Sequence, residues 1–163
     1  MLILFFAGIA LITVLDQFTK FLAVAKLMPK GTFPIIKEVF HLTYLENKGA
    51  GFGVFANHTH LLSIASIVIV AAVLAYVLVK RPKDKLLNLS LMFMIGGAVG
   101  NLIDRVTLGY VVDFLDFRLI NFPIFNVADC FITVGAVMLA VYIIFFSEKK
   151  EQADGDYKSS QRR

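Results

Sequence analysis

The sequence predicts an α-helical membrane protein, with four transmembrane helices and a small extracytoplasmic β-structured segment. Three observations predict it. The 163 residues are 58% hydrophobic, with 16 Phe and no Trp, which is more apolar than an ordinary soluble domain. Four long apolar runs, at 2–26, 61–79, 86–103 and 124–146, each come close to the ~20 residues that cross about 30 Å of hydrocarbon. Between the first two, residues 35–45 (IIKEVFHLTYL) alternate and are rich in β-branched and aromatic side chains, which is a strand pattern.

The four runs are expected to be helices, because only helices and closed barrels satisfy their own backbone in lipid. The first contains Asp16, Gln17 and Lys20 and lacks a basic start, so it reads as a retained span rather than a cleavable signal. Segment 27–60 is expected to hold one or two short strands and a turn on the membrane surface, followed by the Gly-rich stretch Gly49–Gly53 and then Val54 and Phe55. A surface loop anchored by its hydrophobes is the alternative. The second run is uncharged. The connection 80–85 (KRPKDK) carries four basic residues in six, and the tail from Ser147 adds Lys149, Lys150, Lys158, Arg162 and Arg163. By the positive-inside rule both belong in the cytoplasm. Both termini then lie inside, and segments 27–60 and 104–123 lie outside. Residues 1–146 are expected to form one membrane domain. Residues 147–163 mix charges without apolar periodicity and are expected to be a disordered cytoplasmic tail. The net charge of +4 sits in that loop and tail, so it reports topology rather than nucleic-acid binding.

Polar residues inside the apolar runs carry the functional signal, because a charge at the bilayer centre costs at least about 2.5–3.5 kcal/mol. They are Asp16, Asn101, Asp104, Arg105, Asn126 and Asp129. Asp16 and Lys20, four apart with the acid first, share a helix face and read as an internal ion pair that pins the first helix, with direct catalysis as the alternative. The third run ends in GGAVGNLIDR, where Gly96 and Gly100 permit close helix approach. Asn101, Asp104 and Arg105 share one face there. A helix cap with a snorkelling Arg105 accounts for one such residue more comfortably than for three. Asn126 and Asp129 are three apart near the start of the fourth run, and Thr133 continues their stripe. With a helix starting near Ile124, Asp129 would lie roughly 8 Å below that start.

Asp113 stands among apolar neighbours in GYVVDFLDF, in the outer loop before the fourth run. Asp116 is its competitor three residues on. Two carboxyls in one apolar niche tend to share a proton, so that one acts as base toward water and the other as acid toward a leaving group. Sequence spacing leaves open whether Asp113 and Asp129 meet. Other chemistries find little support. The single Cys130 forms no internal disulfide and reads as a small buried hydrophobe. His58 and His60 have no third ligand nearby, so no metal and no cofactor are expected. Asn57-His58-Thr59 matches a glycosylation sequon of low specificity.

In order along the chain, DQFTK (16–20), NKGAGFG (47–53), GGAVGNLIDR (96–105), VVDF (111–114) and FNVAD (125–129) resemble the motifs of the lipoprotein signal peptidases, signal peptidase II. Gly51, where Ala is more usual, is a mild departure that touches no proposed catalytic residue. The resemblance implies a bacterial inner-membrane aspartic protease. Such an enzyme removes signal peptides from prolipoproteins, cutting before a cysteine that already carries diacylglycerol. It implies Asp113 and Asp129 as the catalytic pair. Asn47, Gly49, Asn101, Arg105 and Asn126 would support or bind substrate, and Asp16, Lys20 and Asp104 would be structural. Globomycin-type cyclic peptides would inhibit it. The implied partners are diacylated prolipoproteins and membrane lipid, with no nucleic acid, and the enzyme is expected to be a monomer. The implied fold adds a small outer β-cradle and a short mobile outer helix to four membrane helices.

Two other classes compete. A small proton-coupled transporter would also use intramembrane carboxylates and an Arg, but would want polar groups near the midplane. A membrane scaffold would use the polar groups only to hold helices together.

Overall fold

The computed structural model describes residues 2–49 and 59–147. The remainder of the Gly-rich stretch, with Val54, Phe55, Asn57 and His58, and the tail from 148 onward lie outside the described residues. Among the described residues, four helices are long and apolar enough to cross a membrane. They are α1 (Leu2–Lys26), α2 (Thr59–Lys80), α3 (Lys85–Thr107) and α4 (Val127–Tyr142), the last widening into a π-helical turn at Ile143–Ser147.

Helix α3 is the hub, packing against each of the other three. Its buried face includes Leu91, Ile95, Gly96, Gly97, Gly100, Asn101 and Asp104. The glycines set the spacing. A Cβ at Gly97 would run into Ala128 O of α4, and one at Gly100 would lie 2.5 Å from Asp16 Oδ2 of α1. Helix α1 buries the narrow stripe Phe5, Ile12, Asp16, Lys20 and Ala23, at the three- and four-residue spacing of one helix face, and exposes Leu4, Leu11 and Phe21. Helix α2 buries only Val70 and Val77, as expected of a span that faces lipid over most of its surface. Asp84 starts α3 by accepting from Leu86 N and Leu87 N, a side-chain N-cap.

The connections that follow α1 and α3 form a three-stranded antiparallel sheet in the order β1–β2–β3, with β1 Thr32–Ile36, β2 Phe40–Asn47 and β3 Val111–Phe117. The alternating stretch 35–45 is therefore two strands broken by a turn at 37–39, where Glu38 takes φ +60°. Pro34 is tolerated because β1 is an edge strand. A β-bulge between Leu42 and Leu45 of β2 keeps Leu45 opposite Asp113 and Asn47 opposite Val111.

Two local expectations are corrected. Asp113 lies not in a loop but on β3, whose Val-rich sequence pairs along β2. Helix α4 begins at Val127 rather than near Ile124. Phe125 is held in a β-bridge with Leu115, and Asn126 is the N-cap. Asp129 thus belongs to the first helical turn. The only helical element between α3 and α4 is the single 3-10 turn Arg118–Ile120.

Candidate active site

The two carboxylates arrive on different elements and meet around Asn126. Strand β3 delivers Asp113, which is 1% exposed. Its Oδ1 accepts from Asn126 Nδ2 (2.6 Å) and its Oδ2 from Asn47 Nδ2 (2.8 Å). Helix α4 delivers half-buried Asp129, whose Oδ1 accepts from Asn101 Nδ2 (2.8 Å) and whose Oδ2 accepts from Asn126 N (3.2 Å). Asp129 N in turn donates to Asn126 Oδ1 (3.0 Å). This reciprocal pair is a capping box, so Asp129 is oriented by the same contacts that start its helix. Asn126 is fully buried, and its side-chain NH2 bridges Asp113 and Asn101 Oδ1 (3.1 Å).

Each supporting amide is itself held. Gly49 N donates to Asn47 Oδ1 (2.9 Å). This buried glycine closes a tight turn after β2 and fixes which end of the Asn47 amide faces Asp113. Lys20 Nζ donates to Asn101 Oδ1 (2.8 Å). Burial pushes the Asp113 carboxyl up to about 7, from 3.8. The neighbouring Asp129 charge acts in the same sense, while the hydrogen bonds from Asn47 and Asn126 and the Lys20 charge oppose it.

Both carboxylates line one cavity of about 460 Å³, within the range that holds small ligands or peptide segments. Asn47, Asn101 and Arg105 supply its polar wall. Phe122, Ile124 and Phe125 form an apolar side, and Cys130, Thr133 and Val134 carry it along α4. Arg105 Nε is buried without a hydrogen-bond partner among the described residues, and its guanidinium lies within the field of the Asp129 and Asp113 carboxylates. The site therefore offers two neighbouring carboxyls, a guanidinium with a free donor and an apolar wall.

Asp116, the competitor, does not line this cavity. Three residues from Asp113 on a strand, it projects to the other face, where it pairs across from His41. It accepts from Thr43 Oγ1 (2.7 Å) and Arg118 Nε (2.9 Å). Burial would raise its carboxyl, but these hydrogen bonds and the Arg118 and His41 charges together hold it below the ordinary value. Asp16 and Lys20 form the expected ion pair at 2.9 Å, and Asp104 joins them at 3.0 Å from Lys20 Nζ. None of these three lines the cavity.

Sequence reasoning gave Gln17 no role. Its Nε2 donates to Asp104 Oδ1 (2.8 Å) and Gly100 O (3.1 Å). Its amide within an apolar span, beside Asp16, was the signal available. The apolar wall at 122–125 had no signal of its own, since its residues become a wall only once Phe125 pairs with Leu115.

The family model described as signal peptidase (SPase) II matches residues 8–145. A lipoprotein signal peptidase of Caldanaerobacter subterraneus subsp. tengcongensis is 54% identical over 138 residues, covering 84% of this chain and 93% of that protein. One of Clostridioides difficile is 44% identical over 141 residues, covering 86% and 95%. A bacterial membrane enzyme solved by the in meso method at 2.3 Å superposes with a TM-score of 0.78 at 28% identity, covering 86% of this chain and 87% of that one.

Proposed function

The chain belongs to the signal peptidase II family of proteases, and on that premise we propose that it is a membrane aspartic endopeptidase. Its substrates are diacylglyceryl-modified prolipoproteins, cut before the lipidated cysteine. The observation that carries this reading is the shared cradle: four donors from Asn47, Asn101 and Asn126 hold Asp113 and Asp129 toward one cavity. A second cavity, between α2 and α3 and lined by residues such as Ile69, Val73, Leu91 and Ile95, holds no acid.

The chemistry follows from the environments. Asp113 holds a proton near neutrality because it is buried, which suits it to be the general acid. Asp129, half open to the cavity, takes a proton from a water held between the two. The resulting hydroxide attacks the carbonyl carbon before the lipidated cysteine. Arg105, with its free Nε–H, and the neighbouring amides stabilise the oxyanion of the tetrahedral intermediate. As that intermediate collapses, the C–N bond breaks and Asp113 donates its proton to the leaving amine. The products are a signal peptide with a new carboxylate and a lipoprotein with a free amino terminus. The apolar wall of Phe122, Ile124 and Phe125 accommodates the substrate's apolar groups, and a globomycin-type cyclic peptide would compete for the same space.

The basic loop 80–85 and the basic tail support cytoplasmic termini. Since the sheet and cavity lie at the opposite end of the helices from that loop, the site would face the outer leaflet, where the acylated cysteine resides. The test is cleavage of a diacylated prolipoprotein and its unlipidated counterpart by wild type, Asp113→Asn and Asp129→Asn. Wild type is expected to cut only the lipidated substrate, and both variants to be inactive. Wild-type rates from either variant would refute the mechanism.

A further inference from the structure

A second set of acids sits directly behind the proposed catalytic pair and mirrors it. Asp16 Oδ1 accepts from Ala128 N (2.9 Å), the residue before Asp129. Asp104 Oδ2 accepts from Val112 N (3.0 Å), the residue before Asp113. Each acid therefore holds the backbone one step ahead of one reactive carboxylate. The two are joined by a single cation. Lys20 Nζ lies 2.9 Å from Asp16 Oδ2 and 3.0 Å from Asp104 Oδ2, and its third donor goes to Asn101 Oδ1 at 2.8 Å. An ammonium has three donors, and all three are engaged. Because Asn101 accepts through its oxygen, its NH2 is the end presented to Asp129.

We propose that Lys20, with Asp16 and Asp104, is a positioning bracket that sets the separation and orientation of Asp113 and Asp129. The proposal rests on the aspartic-protease reading above and deepens it. Asp16, Lys20 and Asp104 are 0%, 3% and 2% exposed, so substrate and water do not reach them. Asp113 sits on the sheet and Asp129 on α4, and the bracket ties both to α1 and α3. Gln17 secures the remaining Asp104 oxygen. Gly100 leaves the room that the Asp16 carboxylate occupies, since a Cβ there would lie 2.5 Å from it. A plain structural ion pair would need only one acid. Here two acids share one cation, and each holds the backbone beside a different reactive group.

The test separates positioning from folding. Lys20→Met alone buries two unpaired acids, so it is combined with Asp16→Asn. The double variant keeps the net charge of the cluster, and the new amide oxygen still accepts from Ala128 N. It should fold, as read by its unfolding temperature in detergent, yet lose the tie between the two arms. Cleavage of a diacylated prolipoprotein is expected to show kcat lowered about 100-fold, the scale of an ångström misplacement, with KM within about twofold. Asp104→Ala, which removes the acceptor shared by Lys20 Nζ and Val112 N but leaves Lys20 paired with Asp16, tests the other arm and should show the same split. A folded double variant, or folded Asp104→Ala, with wild-type kcat would overturn the bracket. Failure of the underlying reading looks different, because Asp113→Asn and Asp129→Asn would then cleave normally.

Discussion

Replacing Asp113 with Asn should do more than stop cleavage; it should reverse the order of stability between acid and alkaline pH. Two effects of opposite sign are involved. The carboxylate accepts from Asn126 Nδ2 on one oxygen and from Asn47 Nδ2 on the other. An amide has only one oxygen, so one partner NH2 would face another NH2. Neither partner turns over freely, because Asn47 Oδ1 accepts from Gly49 N and Asn126 Oδ1 accepts from Asp129 N. One unmade buried hydrogen bond costs about 1–3 kcal/mol at every pH. Against this, burial raises the wild-type carboxyl from 3.8 to about 7. The folded state then binds the proton more tightly than the unfolded state. Stability from this group is fully present below pH 3.8, falls as pH rises to about 7 and is flat above, a loss of about 4 kcal/mol. The variant has no such loss. It should be less stable than wild type by about 1–3 kcal/mol at pH 4 and more stable by about the same amount at pH 8. In a chain of this size the swing corresponds to about 8–16 °C in relative Tm. Thermal unfolding in detergent at the two pH values reads it directly. Curves that keep the same order and spacing at both would refute the claim that Asp113 is buried and ionises near neutrality.

Gly97→Ala places a Cβ against Ala128 O. It should cost about 1–3 kcal/mol by overpacking and lower kcat by lengthening the Asn101–Asp129 hydrogen bond, measured by unfolding and cleavage together. Asn126→Ser keeps a cap acceptor for Asp129 N but removes the NH2 that bridges Asp113 and Asn101. It should retain most of the stability that Asn126→Ala loses, about 1 kcal/mol for the cap, while both variants fail to cleave; cleavage by the Ser variant would show the bridge to be dispensable. Asp84→Ala removes the acceptor for Leu86 N and Leu87 N at the other end of α3. It should cost about 1 kcal/mol and leave kcat unchanged, which makes it a control for general destabilisation.

The helices were legible because their signal is local. An unbroken apolar run long enough to cross hydrocarbon has one solution for its backbone, and each span could be read from its own residues. The strands were only partly legible. The stretch 35–45 alternates, but its break at 37–39 depends on Glu38 adopting a left-handed backbone that alternation does not encode. Val111–Phe117 resembled a loop because its partner, β2, lies some 70 residues away. The start of α4 was displaced because Phe125 pairs with Leu115, a contact that no window around Ile124 contains.

The sequence by itself determined which residues were anomalous. Ionisable and amide side chains in apolar spans are costly, so Asp16, Asn101, Asp104, Arg105, Asn126 and Asp129 stood out before any fold was known. Only the tertiary structure decided what each one does. Asp113 and Asp116 are chemically equivalent in sequence, and strand alternation sends one to the cavity and the other to His41 and Arg118. Asp16 and Asp104 sit behind the site because α1, α3 and α4 approach closely at Gly97 and Gly100. The physical reason is that desolvation cost belongs to a single side chain, whereas its compensation depends on a partner far along the chain that only packing brings near.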